Sequence, residues 1–441
     1  MKKAYIQTFG CQMNEHDSSR MATILEREGY DMTDNIKDAD LVLINTCSVR
    51  ENPENKVYSL LGRLSRRKRG NPDLIVGVAG CVAQQEGKRI LKREKSVDLV
   101  FGPDTIFQLP EMLAEVESGK RVLNTDWMAR DRKIQNFIPD QELTTGTVEG
   151  GKGQIAITKG CNNFCSFCIV PITRGRLVSR QKENILSEAM DLIAKGAKEI
   201  HLLGQNVNSY SADQTDFYRL LETIANLDGL KRLRFISPHP NDWNNDLTDL
   251  VADHPVICKQ IHLPFQSGSD RILELMKRGH SAQTYLKKIE YLQNRIKDIA
   301  ITTDVIVGFP GESEKEFTQT LKMITDVRFN QIYSFKYSTR PGTKAALIDD
   351  DVPKEIKEER LERLLQIQSP IQSDILAKML NSTAVLLIES VHPKERGVMN
   401  GRTDGNTPVS VANMDLEIGD FVEVKIIGCK RFSLVGEVIP K

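Results

Sequence analysis

The sequence predicts an α/β protein built as an N-terminal parallel-sheet domain, a central six-unit β/α partial TIM barrel and a C-terminal small β-barrel. Three observations carry that reading. Short apolar runs alternate with helical patterns through the first third. From Gln154, six strand-like runs recur at intervals wide enough for a helix in each gap. After a long charged helix, the chain changes to short alternating strands separated by turn residues. At about 150 residues per domain, 441 residues leave room for about three domains. The boundaries are expected at 1–127, 128–151 as a linker rich in "TTGTVEGGKG", 152–375 and 376–441.

Composition restricts function only weakly. Sixty basic residues balance sixty acidic ones, so net charge names no partner. The N-terminal "MKKAYIQTFGCQ" has no secretory apolar run, and nothing approaches the ~18 apolar residues of a membrane span. The chain reads as cytosolic. In a reducing compartment its eight cysteines are expected to be metal ligands or catalytic thiols rather than disulfides.

In the N-terminal third, "KAYIQTFG", "ADLVLINT", "DLIVGVAG" and "VDLVFGPD" suit buried parallel strands. Met21, Ile24 and Leu25 mark the first helix. Val57, Leu60, Leu61 and Leu64 mark the second, with Asn52-Pro53 as its cap and first residue. Cys11, Cys47 and Cys81 each sit beyond one of the first three of these strands, 36 and 34 residues apart. The carboxyl ends of parallel strands share one edge, so three such thiols can converge there. Three unrelated buried cysteines are the bland alternative. The basic run "RLSRRKRG", Arg63 to Gly70, suits either a solvated helix C-terminus or an RNA contact.

The barrel strands "QIAITKG", "KEIHLLG", "RLRFIS", "QIHLPFQ", "AITTDVIVG" and "QIYSFKYS" end in loops where barrel chemistry gathers. The first loop carries "KGCNNFCSFC", with Cys161, Cys165 and Cys168 in C-x3-C-x2-C spacing. Structural zinc wants four protein ligands, and His201 or His262 could supply the fourth. Three thiolates suit an iron-sulfur cube better, because one iron stays open for substrate. Cys258 and Cys429 lie singly in apolar surroundings and read as structural.

The "CNNFCSFC" stretch matches the signature of radical S-adenosylmethionine enzymes. Taken with Cys11, Cys47 and Cys81, and with "TRGR", "LLGQNVNSY", "HLPFQSGSD", "TDVIVGFPGE" and "YSTRPGT", nearly the whole chain resembles the methylthiotransferases of that superfamily. "GQNVNSY" most resembles those acting on tRNA prenylated at N6 of adenosine. Ile172 departs from the aromatic residue such enzymes place beside "TRGR". The resemblance implies two [4Fe-4S] clusters and S-adenosyl-L-methionine. The cluster on Cys161, Cys165 and Cys168 would cleave S-adenosylmethionine to a 5′-deoxyadenosyl radical, which takes hydrogen from C2 of the adenine. The cluster on Cys11, Cys47 and Cys81 would present the sulfur that becomes the methylthio group. The implied partners are the tRNA anticodon stem-loop, an electron donor of flavodoxin or ferredoxin type and a sulfur donor, with no membrane.

On the same footing, Phe167, Gln205, Asn206, Gln266 and Ser267 are expected around S-adenosylmethionine, although polar rim residues also serve as turn formers. Asp304 could bind a polar ligand group or cap structure. Arg174 and Arg176 would face phosphate or a cofactor carboxylate, or else form a surface salt bridge. The C-terminal strands "TAVLLIES", "RGVMNGRTDG", "TPVSVAN", "DFVEVKIIGC" and "SLVGEVIP" resemble a TRAM domain, which implies RNA binding. Residues 381–441 hold seven Lys or Arg against eight Asp or Glu, so contact needs charges gathered on one face, and a structural cap is the competing reading. The rival functions are the same chemistry on threonylcarbamoyladenosine tRNA or a ribosomal-protein aspartate and, more distantly, a non-catalytic RNA-binding protein with structural metal sites.

Overall fold

The computed structural model describes residues 1–47, 51–126, 146–413 and 415–440. Most of the expected linker, and the residues just after Cys47, lie outside the described residues. The chain divides into two compact units. The first comprises Met1–Gly146, Thr158–Asn162 and Cys168–Asn184; the second comprises Thr147–Ile157, Asn163–Phe167 and Ile185–Lys441.

In the first unit, strands β1 (Lys2–Thr8), β2 (Tyr30–Met32), β3 (Leu41–Thr46), β4 (Ile75–Gly80), β5 (Leu99–Phe101) and β6 (Val122–Asn124) form one parallel sheet in the order β2-β1-β3-β4-β5-β6. β2 and β6 were not expected from sequence; at three residues each they are too short to display a period. Helices α1 (Gln12–Arg27), α2 (Glu51–Gly70), α3 (Cys81–Arg93) and α4 (Leu109–Glu117) follow the strands. α2 starts at Glu51, so Asn52 and Pro53 fall inside its first turn rather than at its cap. Strand periodicity sorts β3 between two cores. Leu41 and Leu43 pack with Met21, Leu25 and Phe101, whereas Val42 and Ile44 pack with Val57, Leu61 and Val78. Part of the basic run is structural: Arg67 donates to the carbonyls of Ile36 and Ala39, and Lys68 pairs with Asp98.

The second unit contains the six barrel strands at Lys152–Ala156, Glu199–Leu203, Arg232–Phe235, Gln260–His262, Ala300–Val307 and Gln331–Lys336. They form two three-stranded parallel sheets, and Leu233 in the first bridges to Ile257, just ahead of the Gln260–His262 strand of the second. Helix Lys354–Lys378 leads to a closed five-stranded barrel formed by Thr383–Val391, Val398–Arg402, Pro408–Ala412, Phe421–Cys429 and Leu434–Val438. Leu386, Ile388, Val411, Val424, Ile426 and Leu434 fill its interior. Cys258 is buried, as expected. Cys429 is exposed, because it ends its strand outside the barrel core, and its thiol donates to the Leu376 carbonyl at 3.3 Å.

The seat of this small barrel is set by one strand. In "RLRF", Leu233 and Phe235 enter the core while Arg232 and Arg234 alternate to the other face. Arg232 donates to the carbonyls of Val385 (2.6 Å) and Arg402 (3.0 Å), and Arg234 to those of Thr403 (2.8 Å) and Asp404 (2.7 Å). Glu199 anchors both arginines, lying 2.8 Å from Arg234 and 3.6 Å from Arg232, with His201 at 2.6 Å. Burial opposes ionisation of Glu199, but the His201 hydrogen bond and the Arg234 charge outweigh it and hold the carboxyl well below its usual range. Glu199→Ala strands two buried guanidinium groups and should cost about 3–5 kcal/mol in chemical denaturation. A loss under about 1 kcal/mol would mean that the main-chain carbonyls alone hold the arginines.

Candidate metal and cofactor centres

In the first unit the three strand-end cysteines follow directly from register. Thr8 pairs with Asn45, Asn45 with Ala79 and Thr46 with Gly80, so β1, β3 and β4 end level with one another. Strand order reverses between β1 and β3, and the crevice beyond such a reversal is where open parallel sheets bind ligands. Cys11 caps α1, Cys47 directly follows β3, and Cys81 is the first residue of α3 after the Gly80 cap. Two of the three thiols therefore lie at helix N-termini, where the peptide dipoles favour thiolate.

A polar network that the sequence reading missed holds this edge together. Asn14 donates to Asn45 Oδ1 and the Thr46 carbonyl, both at 3.0 Å; Asn45 donates to the Asn14 carbonyl (2.8 Å) and Ser18 Oγ (2.9 Å). The Cys11 thiol donates to Asn14 Oδ1 at 3.4 Å, and Thr46 Oγ1 donates to the Ala79 carbonyl at 2.6 Å. Asn14 and Asn45 are wholly buried. Their signal was an Asn three residues into a helix capped by cysteine, and another two residues before Cys47.

The electrostatics suit thiolate ligands. A hydrogen bond with Cys47 lowers the Cys11 thiol to about 6 against the opposing effect of burial, with help from the Arg174 charge and the first-turn amides of Asn14 and Met13. Cys11 is exposed as a residue, although its thiol faces Asn14 and Cys47, while Cys47 and Cys81 are buried. Arg174 is only 4% exposed, and its Nη2 donates to Asp17 Oδ2 at 2.7 Å. It is thus turned inward, away from the solvent position that phosphate contact requires, and its charge acts on Cys81 and Cys11. Arg176 is exposed. Lys159 pairs with Asp104; burial, then Arg174, push its ammonium down to about 8.

In the second unit, the middle of the C-x3-C-x2-C loop is tightly held. Ser166 donates from Oγ to the Leu275 carbonyl (2.7 Å) and from its amide to the Met276 carbonyl (2.9 Å), while its own carbonyl accepts from Ala345 (2.8 Å). Phe167 packs against Ile272, Met276, Phe309, Tyr337 and Ala345, a hydrophobic position. Arg278, buried and unremarked in the sequence, donates to Cys165 Sγ at 3.3 Å and to the Pro264 carbonyl at 2.8 Å. Cys161 and Cys168 belong to the first unit, where the Cys161 amide donates to the Gly175 carbonyl at 3.2 Å.

The expected rim residues divide by environment. Asn206 donates to Ser209 (2.5 Å) and Asp242 (2.9 Å), tying together the loops after the second and third strands. Ser267 accepts from the Ser269 amide and shapes its own loop. Gln205 lies in the same strand-end loop as Asn206. Gln266 is set apart: its φ is +70°, its backbone bridges to the strand containing Asp304, and its buried Oε1 has no hydrogen-bond partner among the described residues. Arg278 Nε and His239 Nε2 are likewise buried without partners among the described residues. A polar guest is what such groups lack. Asp304 lies 3.5 Å from His262, which also bonds Thr302 at 3.0 Å, and His201 is engaged by Glu199. Among the described residues no three Cys, His, Asp or Glu side chains converge tightly enough for one ion. A cube spreads its ligands over separate irons, and the strand-end donor set of the first unit, with three thiols near Arg174, fits such a group.

Residues 3–102 match the Uncharacterized protein family UPF0004, 155–324 the Radical SAM superfamily and 377–439 the TRAM domain. The chain is 42% identical over 445 residues to the tRNA-2-methylthio-N(6)-dimethylallyladenosine synthase of Marinomonas sp. (strain MWYL1), covering 99% of this chain and 97% of that protein. It is 41% identical over 443 residues to the synthase of the same name from Aquifex aeolicus (strain VF5), covering 99% of each. Among solved structures, the radical S-adenosylmethionine methyltransferase TsrM from Kitasatospora setae aligns with a TM-score of 0.55 at 15% identity, covering 78% of this chain and 74% of that one, a likeness of fold.

Gly80 tests the strand-end arrangement. Its φ is +91°, and a Cβ there would stand 2.4 Å from the Thr46 carbonyl and Asn45 Oδ1. Gly80→Ala should cost about 1–3 kcal/mol and speed alkylation of Cys47 and Cys81. Unchanged stability and labelling would show that the edge tolerates the side chain.

Proposed function

The chain belongs to the family of tRNA-2-methylthio-N(6)-dimethylallyladenosine synthases, and from that premise we propose that it replaces the C2 hydrogen of N6-dimethylallyladenosine in tRNA with a methylthio group. The observation that carries the reading is the gathering of Cys11, Cys47 and Cys81 at one sheet edge, in a chain that also holds the C-x3-C-x2-C loop. When bound, the loop cluster and S-adenosylmethionine supply a radical that removes the C2 hydrogen, and the strand-end cluster supplies sulfur to be methylated by a second S-adenosylmethionine.

The chain's own residues orient and shield. Cys161, Cys165 and Cys168 would hold the first cluster, with Arg278 donating to one of its thiolates. Ser166 and Phe167 keep the loop in one conformation. Gln266, with its unsatisfied buried oxygen, would receive an N–H of S-adenosylmethionine. Gln205, Asn206 and Ser267 would shape the surrounding loops. Cys11, Cys47 and Cys81 would hold the second cluster, Cys11 being the most exposed of the three. Arg176 remains a candidate for tRNA phosphate.

The small barrel supplies a surface for tRNA despite its neutral composition. The turn between its first two strands carries Lys394, Glu395 and Arg396, and the turn between its last two carries Lys430, Arg431 and Phe432. Lys430 reaches Glu395 at 3.5 Å, which joins the turns into one rim. Phe432 is 57% exposed, with the Arg431 guanidinium 4.9 Å from its ring centre. Exposed aromatics flanked by cations stack unpaired bases, each worth about 1–3 kcal/mol. The physiological electron donor, of flavodoxin or ferredoxin type, and the sulfur donor belong to the same proposal.

Nucleoside mass spectrometry tests the function directly. Prenylated tRNA incubated anaerobically with reconstituted protein, reductant, sulfide and S-adenosylmethionine should gain one methylthio group; 5′-deoxyadenosine without that gain would overturn either the assigned substrate or the assigned sulfur supply. Cys161→Ala should abolish S-adenosylmethionine cleavage, whereas Cys47→Ala should retain cleavage and lose product. Product from Cys47→Ala would remove the strand-end cluster from the reaction. Phe432→Ala should raise KM for tRNA about fivefold or more at unchanged kcat, and an unchanged KM would free the rim from tRNA binding.

A further inference from the structure

Arg174 lies where neither a surface role nor a tRNA contact can use it. It directly follows the short helix Val170–Thr173, which packs against α3, the helix that begins with Cys81. Its guanidinium is tied at 2.7 Å to Asp17 in α1, the helix capped by Cys11. Two helices bearing two of the three strand-end thiols are thus linked through one short segment, residues 170–174, that ends in a buried cation. The ion pair has side-chain exposures of only 5% and 10%. Burial of a charged pair brings little net stability, since desolvation offsets most of the attraction. A merely structural clasp would be served as well by apolar packing.

We propose that Arg174, oriented by Asp17, is a positioning and charge-compensating residue for the strand-end cluster, stabilising its thiolates and favouring its reduced state. The proposal rests on the assignment of that cluster under Proposed function. Three thiolates outweigh the 2+ core of an oxidised cube and leave about one net negative charge in a partly dry crevice, and reduction adds another. A fixed cation beside the sulfurs stabilises the more negative state most, which raises the reduction potential. Asp17 does two opposing things. It holds the guanidinium in place, and its own charge offsets part of that cation's field. Removing the charge of Asp17 while an Asn keeps the hydrogen bond therefore moves the potential opposite to the loss of Arg174.

The test uses the full chain with Cys161, Cys165 and Cys168 replaced by Ala, so that only the strand-end cluster gives an electron-paramagnetic signal. Iron and sulfide analysis first establishes whether that background holds a cluster. Redox titration followed by this signal should then show Arg174→Gln shifted to more negative potential and Asp17→Asn to more positive. Arg174→Lys should return toward the parent, because it keeps the charge without the fork. The double variant Asp17→Asn/Arg174→Gln leaves no unpaired buried charge. It guards against misfolding and should fall between the parent and Arg174→Gln. Potentials unchanged within this set, or an order that does not follow charge, would overturn the role of Arg174 while leaving the cluster in place. A background protein without iron would instead overturn the cluster assignment itself, and the role of Arg174 with it.

Discussion

The level ending of β1, β3 and β4 is the constraint on which the first unit's chemistry depends. Parallel pairing places Thr8 beside Asn45 and Thr46 beside Gly80, and that register alone makes neighbours of residues more than thirty positions apart. A slip of one residue would turn Leu41 and Leu43 toward the opposite core and withdraw Cys47 from the edge. The two-sided hydrophobic burial of β3 therefore protects the site as much as the sheet. The Asn14–Asn45 network adds direction: paired amides demand one relative placement of helix and strand, where apolar contacts would accept several.

The second unit solves a different problem, that of carrying an accessory barrel on a catalytic one. Glu199 concentrates a negative charge beneath two arginines, and those arginines spend their donors on main-chain oxygens of the small barrel. Nearby, the turn Glu149–Lys152 brings Gly150 and Gly151, both at positive φ, against Glu389 and Gly419. A Cβ on Gly151 would lie 2.8 Å from the Gly419 backbone, so only glycine permits that approach.

Much of this was legible in the sequence, and the failures have physical causes. Strand-end cysteines are visible because a short apolar run followed by Cys is a local pattern. The six barrel strands and five small-barrel strands were legible for the same reason. β2 and β6 were not, since three residues carry no period. Arg174 was seen as a cation near the cysteine loop, but its burial and its partner Asp17, 157 residues distant, are tertiary facts. Arg278 and the pair Arg232 and Arg234 were invisible as partners for the same reason. Neutral overall charge concealed the basic rim of the small barrel, which exists only once two hairpin turns, 35 residues apart at Glu395 and Lys430, are folded together.

The arginine seat has an evolutionary consequence. Arg232 and Arg234 grip carbonyl oxygens, which every amino acid supplies, so the grip places no demand on the identity of the side chain at Val385 or Thr403. The small barrel can therefore drift in its outward residues, including the rim around Phe432, without loosening its attachment. The outward rim can thus change under its own selection, while the strand that seats it stays under selection for the core.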